Sequence, residues 1–315
     1  MDVVASLLEG PRARNAFIIR TQMASPWALR IEDQAALTVV VILDGECRLE
    51  HDSLDEPLRL DTGDLVVVRG PHPYLIGDAQ GSHPRIRILP GNRPVLLNGD
   101  EIGQSMNLGV RTWGAPADDG ETTKLLTGIY ADVGEASRRL LDAIGAVVVR
   151  PGATHTSAYV GLLASESLSD APGQSAVLDR LLDLVLIDTV RDHFARNPEL
   201  APGWYSALDD ALVGSALRAI HTDPAAPWSV TGLAANLGLS RPAFSRRFSQ
   251  AVGEPPMAYV KRWRLSLAAD HLADPDLTIG RIASLVGYQS PFTFSAAFKA
   301  HFGMSPSDYR ADIAT

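Results

Sequence analysis

Near its C-terminus the sequence repeats itself. LAANLGLSRPAFSRRFSQAVGEPPMAYV, starting at Leu233, and IASLVGYQSPFTFSAAFKAHFGMSPSDYR, starting at Ile282, share their landmarks. Ala234 and Gly238 return 49 residues later as Ala283 and Gly287. Phe248, Gly253, Pro256 and Tyr259 return 50 residues later as Phe298, Gly303, Pro306 and Tyr309. Each copy reads as an apolar helix, a glycine turn, a serine able to cap, a second helix with paired phenylalanines, and a glycine stop. Two helices joined by a short glycine-containing turn make a helix-turn-helix. Such units are expected at about 229–252 and 279–302. An ordinary pair of helical hairpins would not need matched glycines, phenylalanines and prolines.

The rest of the chain has a different texture. ALTVVVILDGECRLEH is β-rich, and Asp44-Gly45 signals a hairpin. Cys47 and Leu49 alternate with Glu46, Arg48 and Glu50, which predicts one buried and one wet face. LRLDTGDLVVVRGPHPYLIGD repeats the strand-and-turn pattern, so the front is expected to be a small barrel or sandwich. SRRLLDAIGAVVV and QSAVLDRLLDLVLIDTVRDHFA read as helices. In the second, Val177, Leu181, Leu184, Val185 and Asp188 form a row that is apolar until its end. From Trp204 onward the pattern is helical, punctuated by Pro224, Pro227, Pro255, Pro256, Pro275 and Pro306. A boundary near Pro202 therefore separates residues 1–202, helical from about 135, from residues 203–315.

Charge follows the same division. The whole chain carries −9, but residues 1–204 carry −10 and residues 205–315 carry +1. A nucleic-acid partner then requires locally placed positive charge rather than a generally basic surface. No apolar run approaches the ~20 residues of a membrane span, so no membrane partner is expected. The start lacks the pattern of a secretory signal. A single cysteine, Cys47, excludes an internal disulfide, and the cytoplasm is the expected compartment.

From Trp228 to Arg310 the sequence resembles the DNA-binding domain of the AraC-type transcriptional regulators. PWALRI, DGECRLE, LRLDTGDLVVVRGPHPYLIGD and WYSALDDALVGSALRAIHTDP resemble the cupin-like sensor domain, and the segment after it, in one branch of that family. The resemblance implies a two-domain α+β protein: a cupin-like β-barrel with a helical extension, then two helix-turn-helix units joined by a linker helix. It implies a sequence-specific regulator of transcription, an activator or a repressor, that binds a double-stranded operator. It implies a small-molecule effector, and contact with RNA polymerase if it activates; no cofactor is expected, and the wide apolar arc of the helix from Gln174 to Arg196 predicts a homodimer. PPMAYVKRWRLSLAADHLA is the linker. About 17 helical residues span roughly 26 Å, which suits helices entering major grooves about 34 Å apart.

Turning each second helix at ~100° per residue separates its faces. In the first, Phe244, Phe248, Ala251 and Val252 face the core. Arg246 lies opposite, flanked by Pro242, Ser249 and Gln250, with Arg241, Ser245 and Arg247 at the margins. An arginine fork can bond guanine O6 and N7 together, so Arg246 is the expected base contact. Ser240 and Arg241, at the helix start, suit phosphates. In the second copy Phe294, Phe298 and Phe302 face the core, and Phe292, Thr293, Ala296 and Lys299 lie opposite, with Gln289 and Ser290 at the start. Ala296 stands where Arg246 stands in the first copy. The first unit is thus expected to read bases and the second to clamp. In the linker, Lys261 to Arg264 can reach phosphate, while Trp263 and Arg264 also suit a structural place.

For the front half, Trp27, Cys47, His72 and Tyr74 are candidate pocket residues, and all four equally suit a core. The front histidines are His51, His72, His83 and His155, with no H-x-H pair, so no metal site is expected. Two other readings stay open: a cupin enzyme with an accessory helical domain, and an adaptor whose repeat no longer binds DNA. Cys47 is either a redox sensor or a buried, inert thiol.

Overall fold

The computed structural model describes Val3 and residues 17–117, 122–131, 133–152 and 158–313. The chain forms two compact units. One takes in the described residues from Phe17 to Val133 and resumes over Ile144–Asn197; the other joins Val3 and Gly134–Ala143 to the chain from Pro198 onward.

The first unit is built on two sheets. Its strands are β1 (Phe17–Ala24), β2 (Ala28–Ile31), β3 (Leu37–Asp44), β4 (Glu46–His51), β5 (Leu58–Asp61), β6 (Leu65–Arg69), β7 (Tyr74–Gly77), β8 (Ile86–Leu89), β9 (Arg93–Leu96), β10 (Asn107–Gly109), β11 (Thr112–Ala115), β12 (Thr122–Tyr130) and β13 (Val147–Arg150). One sheet has the order β10-β11-β1-β12-β3-β6-β13, the other β5-β4-β7-β2-β8-β9. Val40, Ile42, Val66, Val68 and Leu125 of the first sheet share one core with Leu29, Ile31, Leu49, Leu60 and Ile76 of the second. The alternation at Cys47 and Leu49 holds, both being fully buried.

Three expectations are corrected here. The sheets face each other as a sandwich and do not close into a barrel. Closure requires ladder bonds all the way round, and among the described residues none joins β10 or β13 to β5 or β9. Asp44-Gly45 makes a turn but no hairpin: β3 pairs with β12 and β6, and β4 with β5 and β7. Gly45, at φ 81°, sends the chain across the core to the other sheet, beside the backbone of Thr123. The run Val147–Val149 is strand, not helix. Gly145, at φ 80°, follows helix α1 (Glu135–Ala143), and the β-branched valines pair with β6, Val147 opposite Val68.

Helices α2 (Ala158–Glu166) and α3 (Gln174–Arg196) complete this unit. Leu182 of α3 sits where a side chain at Gly128 of β12 would have to lie, within 2.7 Å of a Cβ built there. Arg150 of β13, itself buried, meets Asp188 at 2.6 Å and Asp192 at 3.7 Å. Of the apolar row expected on α3, Val185 is buried, but Val177 and Leu184 remain 46% and 38% exposed. Leu178, Leu182, Leu186, Val190 and Phe194 are buried instead.

The second unit holds α1 with α4 (Gly203–Ser206), α5 (Ala211–Thr222), α6 (Val230–Asn236), α7 (Arg241–Val252), α8 (Pro256–Leu272), α9 (Ile279–Leu285), α10 (Pro291–Phe302) and α11 (Pro306–Ile313). The repeat in sequence is a repeat in structure: α6–α7 and α9–α10 are the two helix-turn-helix units, and α8 links them. Matched caps start the helices. Ser240 accepts from the Ala243 N–H at 3.4 Å and Ser290 from the Phe292 N–H at 3.2 Å. Gly253 and Gly303, at φ 88° and 81°, end α7 and α10.

Candidate functional site

The two second helices bury one face each on matched aromatic clusters. Phe244 and Phe248 of α7 are fully buried, with ring centroids 5.6 Å apart, and Tyr259 of α8 packs edge-on against Phe248. Phe294 and Phe298 of α10 are likewise fully buried at 5.6 Å, and Tyr309 of α11 packs edge-on against Phe298. This fixes which residues face out. On α7, Arg241, Pro242 and Arg246 are exposed, Ser245 and Ser249 half-buried; on α10, Phe292, Thr293, Ala296 and Lys299 are exposed. Gln289 and Ser240 are exposed at the helix starts, and Ser290 is half-buried. Phe292 is 88% exposed, an unusual setting for a phenylalanine.

The cations of this unit fall into two groups. Several hold the fold together. Arg247 meets Asp210 at 2.8 Å, and Arg262 pairs with Glu254. Arg264 donates to the carbonyls of Pro224 and Ala226, both at 2.7 Å, and reaches Gly287 at 3.3 Å, tying the turn before α6 to the turn between α9 and α10. Arg310 donates to the carbonyls of Leu272 and Leu277. Trp263 is buried and stacked on His221, centroids 4.2 Å apart. Arg218 is exposed but donates to the Leu208 carbonyl at 3.3 Å, while Arg241, Arg246, Lys261, Arg281 and Lys299 are exposed and, among the described residues, form no ion pair. Arg281, on the first helix of the second unit, drew no attention in the sequence because its counterpart in the first copy is Gly232.

Inside the first unit lies a cavity of about 350 Å³, lined from both sheets. Its walls include Ile31, Val40, Ile76 and Ile129, and its polar lining includes Asp33, Asn92, Arg111 and Trp113. Of the four pocket candidates, Tyr74 lines it, with its phenol pushed up by burial. Trp27 and Cys47 are packed in the core, and His72 is exposed. Burial, and then Asp64 and Asp61, raise the Cys47 thiol to about 12, so it is a thiol and not a thiolate at neutral pH. His51 and His72 have ring centroids 6.5 Å apart, His83 is exposed, and His155 lies outside the described residues. Among the described residues no three His, Cys, Asp or Glu side chains gather as a metal ion would require.

Comparison with known proteins decides what this arrangement is. A cupin family model matches residues 2–195, and a helix-turn-helix domain model matches residues 233–312. A putative AraC-like transcription regulator of Streptomyces lividans is 30% identical over 98% of both chains. Another from Streptomyces antibioticus is 30% identical over the same shares. The HTH-type transcriptional regulator AlkR of Acinetobacter baylyi is 29% identical over 98% of this chain and 99% of its own.

The chain belongs to the AraC-like transcription regulators. It is a DNA-binding protein with a cupin-like ligand-binding domain in front, and the enzyme and adaptor readings fall away. Among the described residues, no helix of the regulator is long and apolar enough to cross a membrane. The repeat that dominates the sequence is its DNA-binding domain, and the outward faces of α7 and α10 are where DNA contacts are sought. The cavity's polar residues were not visible as a group beforehand. Asp33, Asn92 and Trp113 come from three separate segments, and no motif spacing links them.

Proposed function

We propose that the regulator binds its operator as a cytoplasmic homodimer, with α7 reading bases and α10 clamping, and that an effector in the sandwich cavity controls it. The observation that carries the reading is Arg246: exposed, without an ion-pair partner among the described residues, and directly opposite the buried Phe244 and Phe248. A bidentate guanine contact uses such a side chain. Ser240, Arg241, Lys261, Arg281, Lys299 and the start of α10 at Gln289 and Ser290 supply backbone contacts, while Pro242, Ser245 and Ser249 flank Arg246. Phe292 and Ala296 offer apolar contact of the kind thymine methyls accept. The exposed row Val177, Leu184 on α3, with Leu162 on α2, supports a second copy as the dimer partner. Where the regulator activates, RNA polymerase is its further partner.

The test is a binding titration of the full-length protein against the duplex upstream of its own gene and against random duplex, over a range of salt. Preference for the upstream duplex, lost in Arg246→Ala, is the expected result. Equal affinity of the unaltered protein for both duplexes would overturn the reading.

A further inference from the structure

The outward side of α10 is apolar where that of α7 is polar. Phe292, Thr293, Ala296 and Ala300 are exposed, and at ~100° per residue they share the side opposite Phe294 and Phe298. Thr293 has no hydrogen to spare, because its hydroxyl donates to the Ser290 carbonyl at 3.0 Å. Its methyl group remains. This side of α10 therefore presents a phenyl ring and methyl groups. On α7 the same side is centred on Arg246, a fork of donors. The repeat itself does not call for a ring at Phe292, since the counterpart in the first copy is Pro242.

The surroundings of this strip fit a DNA groove. Lys299 lies farther along the helix, exposed and, among the described residues, in no ion pair. Arg281 is placed at the other end. A Cβ built on the preceding Gly280 would lie 3.7 Å from the Pro291 ring, so the start of α9 abuts the first turn of α10. An apolar strip between two such cations matches a groove floor between phosphates. Base edges in the major groove carry donors and acceptors, with one apolar group among them, the C5 methyl of thymine. A ring and methyl groups make contact with that methyl and leave the polar groups around it unread.

We infer that α10 reads the C5 methyl group itself, with Phe292 as the residue that sets the preference and Ala296 beside it. 5-Methylcytosine carries the same methyl on the same ring carbon. Thymine and 5-methylcytosine are thus alike to α10, and both are preferred to uracil and cytosine. Methylation of a cytosine facing α10 then tightens binding. The inference rests on α10 entering a major groove as proposed above, and its test separates the two.

The full-length protein is titrated against its upstream duplex, random duplex, and upstream duplexes in which single thymines are replaced by uracil. That replacement removes the methyl group and nothing else. At one or more positions it is expected to weaken binding about fourfold, the worth of one buried methyl group. Phe292→Ala is expected to bind the thymine and uracil duplexes at those positions within about 1.5-fold of each other, while Arg246→Ala, weaker overall, keeps the fourfold ratio. At a responsive position a 5-methylcytosine·guanine pair is expected to bind within about twofold of thymine·adenine, and a cytosine·guanine pair about fourfold more weakly. No uracil effect at any position, a uracil effect that persists in Phe292→Ala, or equal binding of the 5-methylcytosine and cytosine duplexes overturns the methyl reading. In each of these cases a retained preference for upstream over random duplex leaves operator recognition standing. Equal affinity of the unaltered protein for upstream and random duplex removes operator recognition, and the methyl reading falls with it.

Discussion

The carboxylate of Asp270, on α8, receives the backbone N–H of Glu135 at the first turn of α1. It also accepts from the N–H of Ala136, at 3.2 Å. These are groups that a helix start leaves without partners, and the charge also suits the positive end of the helix. The approach depends on the residue before the helix. A Cβ at Gly134 would lie 2.8 Å from Asp270 Oδ1 and 2.9 Å from its Cγ. Asp270→Ala is expected to cost about 0.5–2 kcal/mol, the range for losing a helix cap. A larger side chain at Gly134 should cost a similar amount by displacing the same carboxylate. Both are read as lower denaturation midpoints. A wild-type midpoint in Asp270→Ala would show that the cap contributes nothing.

Asp210 plays a similar part at the start of α5 and also holds Arg247. Its Oδ1 accepts from the Leu212 N–H at 2.9 Å and the Val213 N–H at 3.0 Å, while Oδ2 meets Arg247. The Val213 N–H, then Arg247, hold this carboxyl below its ordinary value. A lowered folded-state pKa gives stability that is fully present above the unfolded pKa and fades as pH falls through the folded one. Asp210→Ala should therefore lower stability by about 0.5–2 kcal/mol at neutral pH, and the difference should shrink in strong acid. Arg247→Ala should cost less, since the pair is half-exposed, and should leave sequence preference intact. Denaturation at two pH values and one operator titration check all three statements. A difference that grows in acid would contradict the sign.

How much of this was legible in the sequence depended on how local the signal was. The matched Phe244/Phe294, Gly253/Gly303 and Ser240/Ser290 act within one helix or its cap, so their meaning survives without the fold. Asp44-Gly45 announces a turn, but nothing local states which strands will pair, and β3 and β4 go to different sheets. Val147–Val149 lies next to a helical pattern, and its strand character comes from β6, far away in sequence. Arg247 and Arg246 are neighbours that look alike. Only Asp210, 37 residues earlier, makes one of them structural. The cavity was least legible because its lining comes from both sheets, from segments far apart in sequence.

The dimer proposal makes a prediction about α3. The helix buries Leu178, Leu182, Val185 and Leu186, yet leaves Val177 and Leu184 exposed one face round, with Leu162 of α2 also exposed at 55%. If a second copy covers this stripe, Leu184→Glu places a charge in the interface without disturbing the fold beneath it. Sedimentation at micromolar concentration should show a dimer for the unaltered protein and a monomer for the variant, with unchanged far-ultraviolet circular dichroism. A dimer in both cases would place the interface elsewhere, and a monomer in both would refute the dimer.

The asymmetry between the two recognition helices makes the sharpest prediction. Both have the same aromatic support, so they present equivalent faces, but those faces differ in chemistry. On α7 the centre is Arg246; on α10 the equivalent place is Ala296, beside the exposed Phe292 and Lys299. A guanidinium fork distinguishes guanine from other bases, whereas an alanine, a phenylalanine edge and an ammonium on phosphate discriminate weakly. Arg246→Ala is expected to cost ~1–3 kcal/mol in operator binding and to relax preference at one guanine. Lys299→Ala should weaken operator and random duplex about equally and make the salt dependence shallower, because a phosphate contact carries no base information. Base-pair changes in the half-site facing α7 should cost about 1–3 kcal/mol each, and those facing α10 should cost less. Titration of both variants against a set of singly substituted operators measures all of this. Should Arg246→Ala lose affinity for every sequence alike, or should the α10 half-site prove the more selective, the roles of the two helices would have to be exchanged while the fold stands.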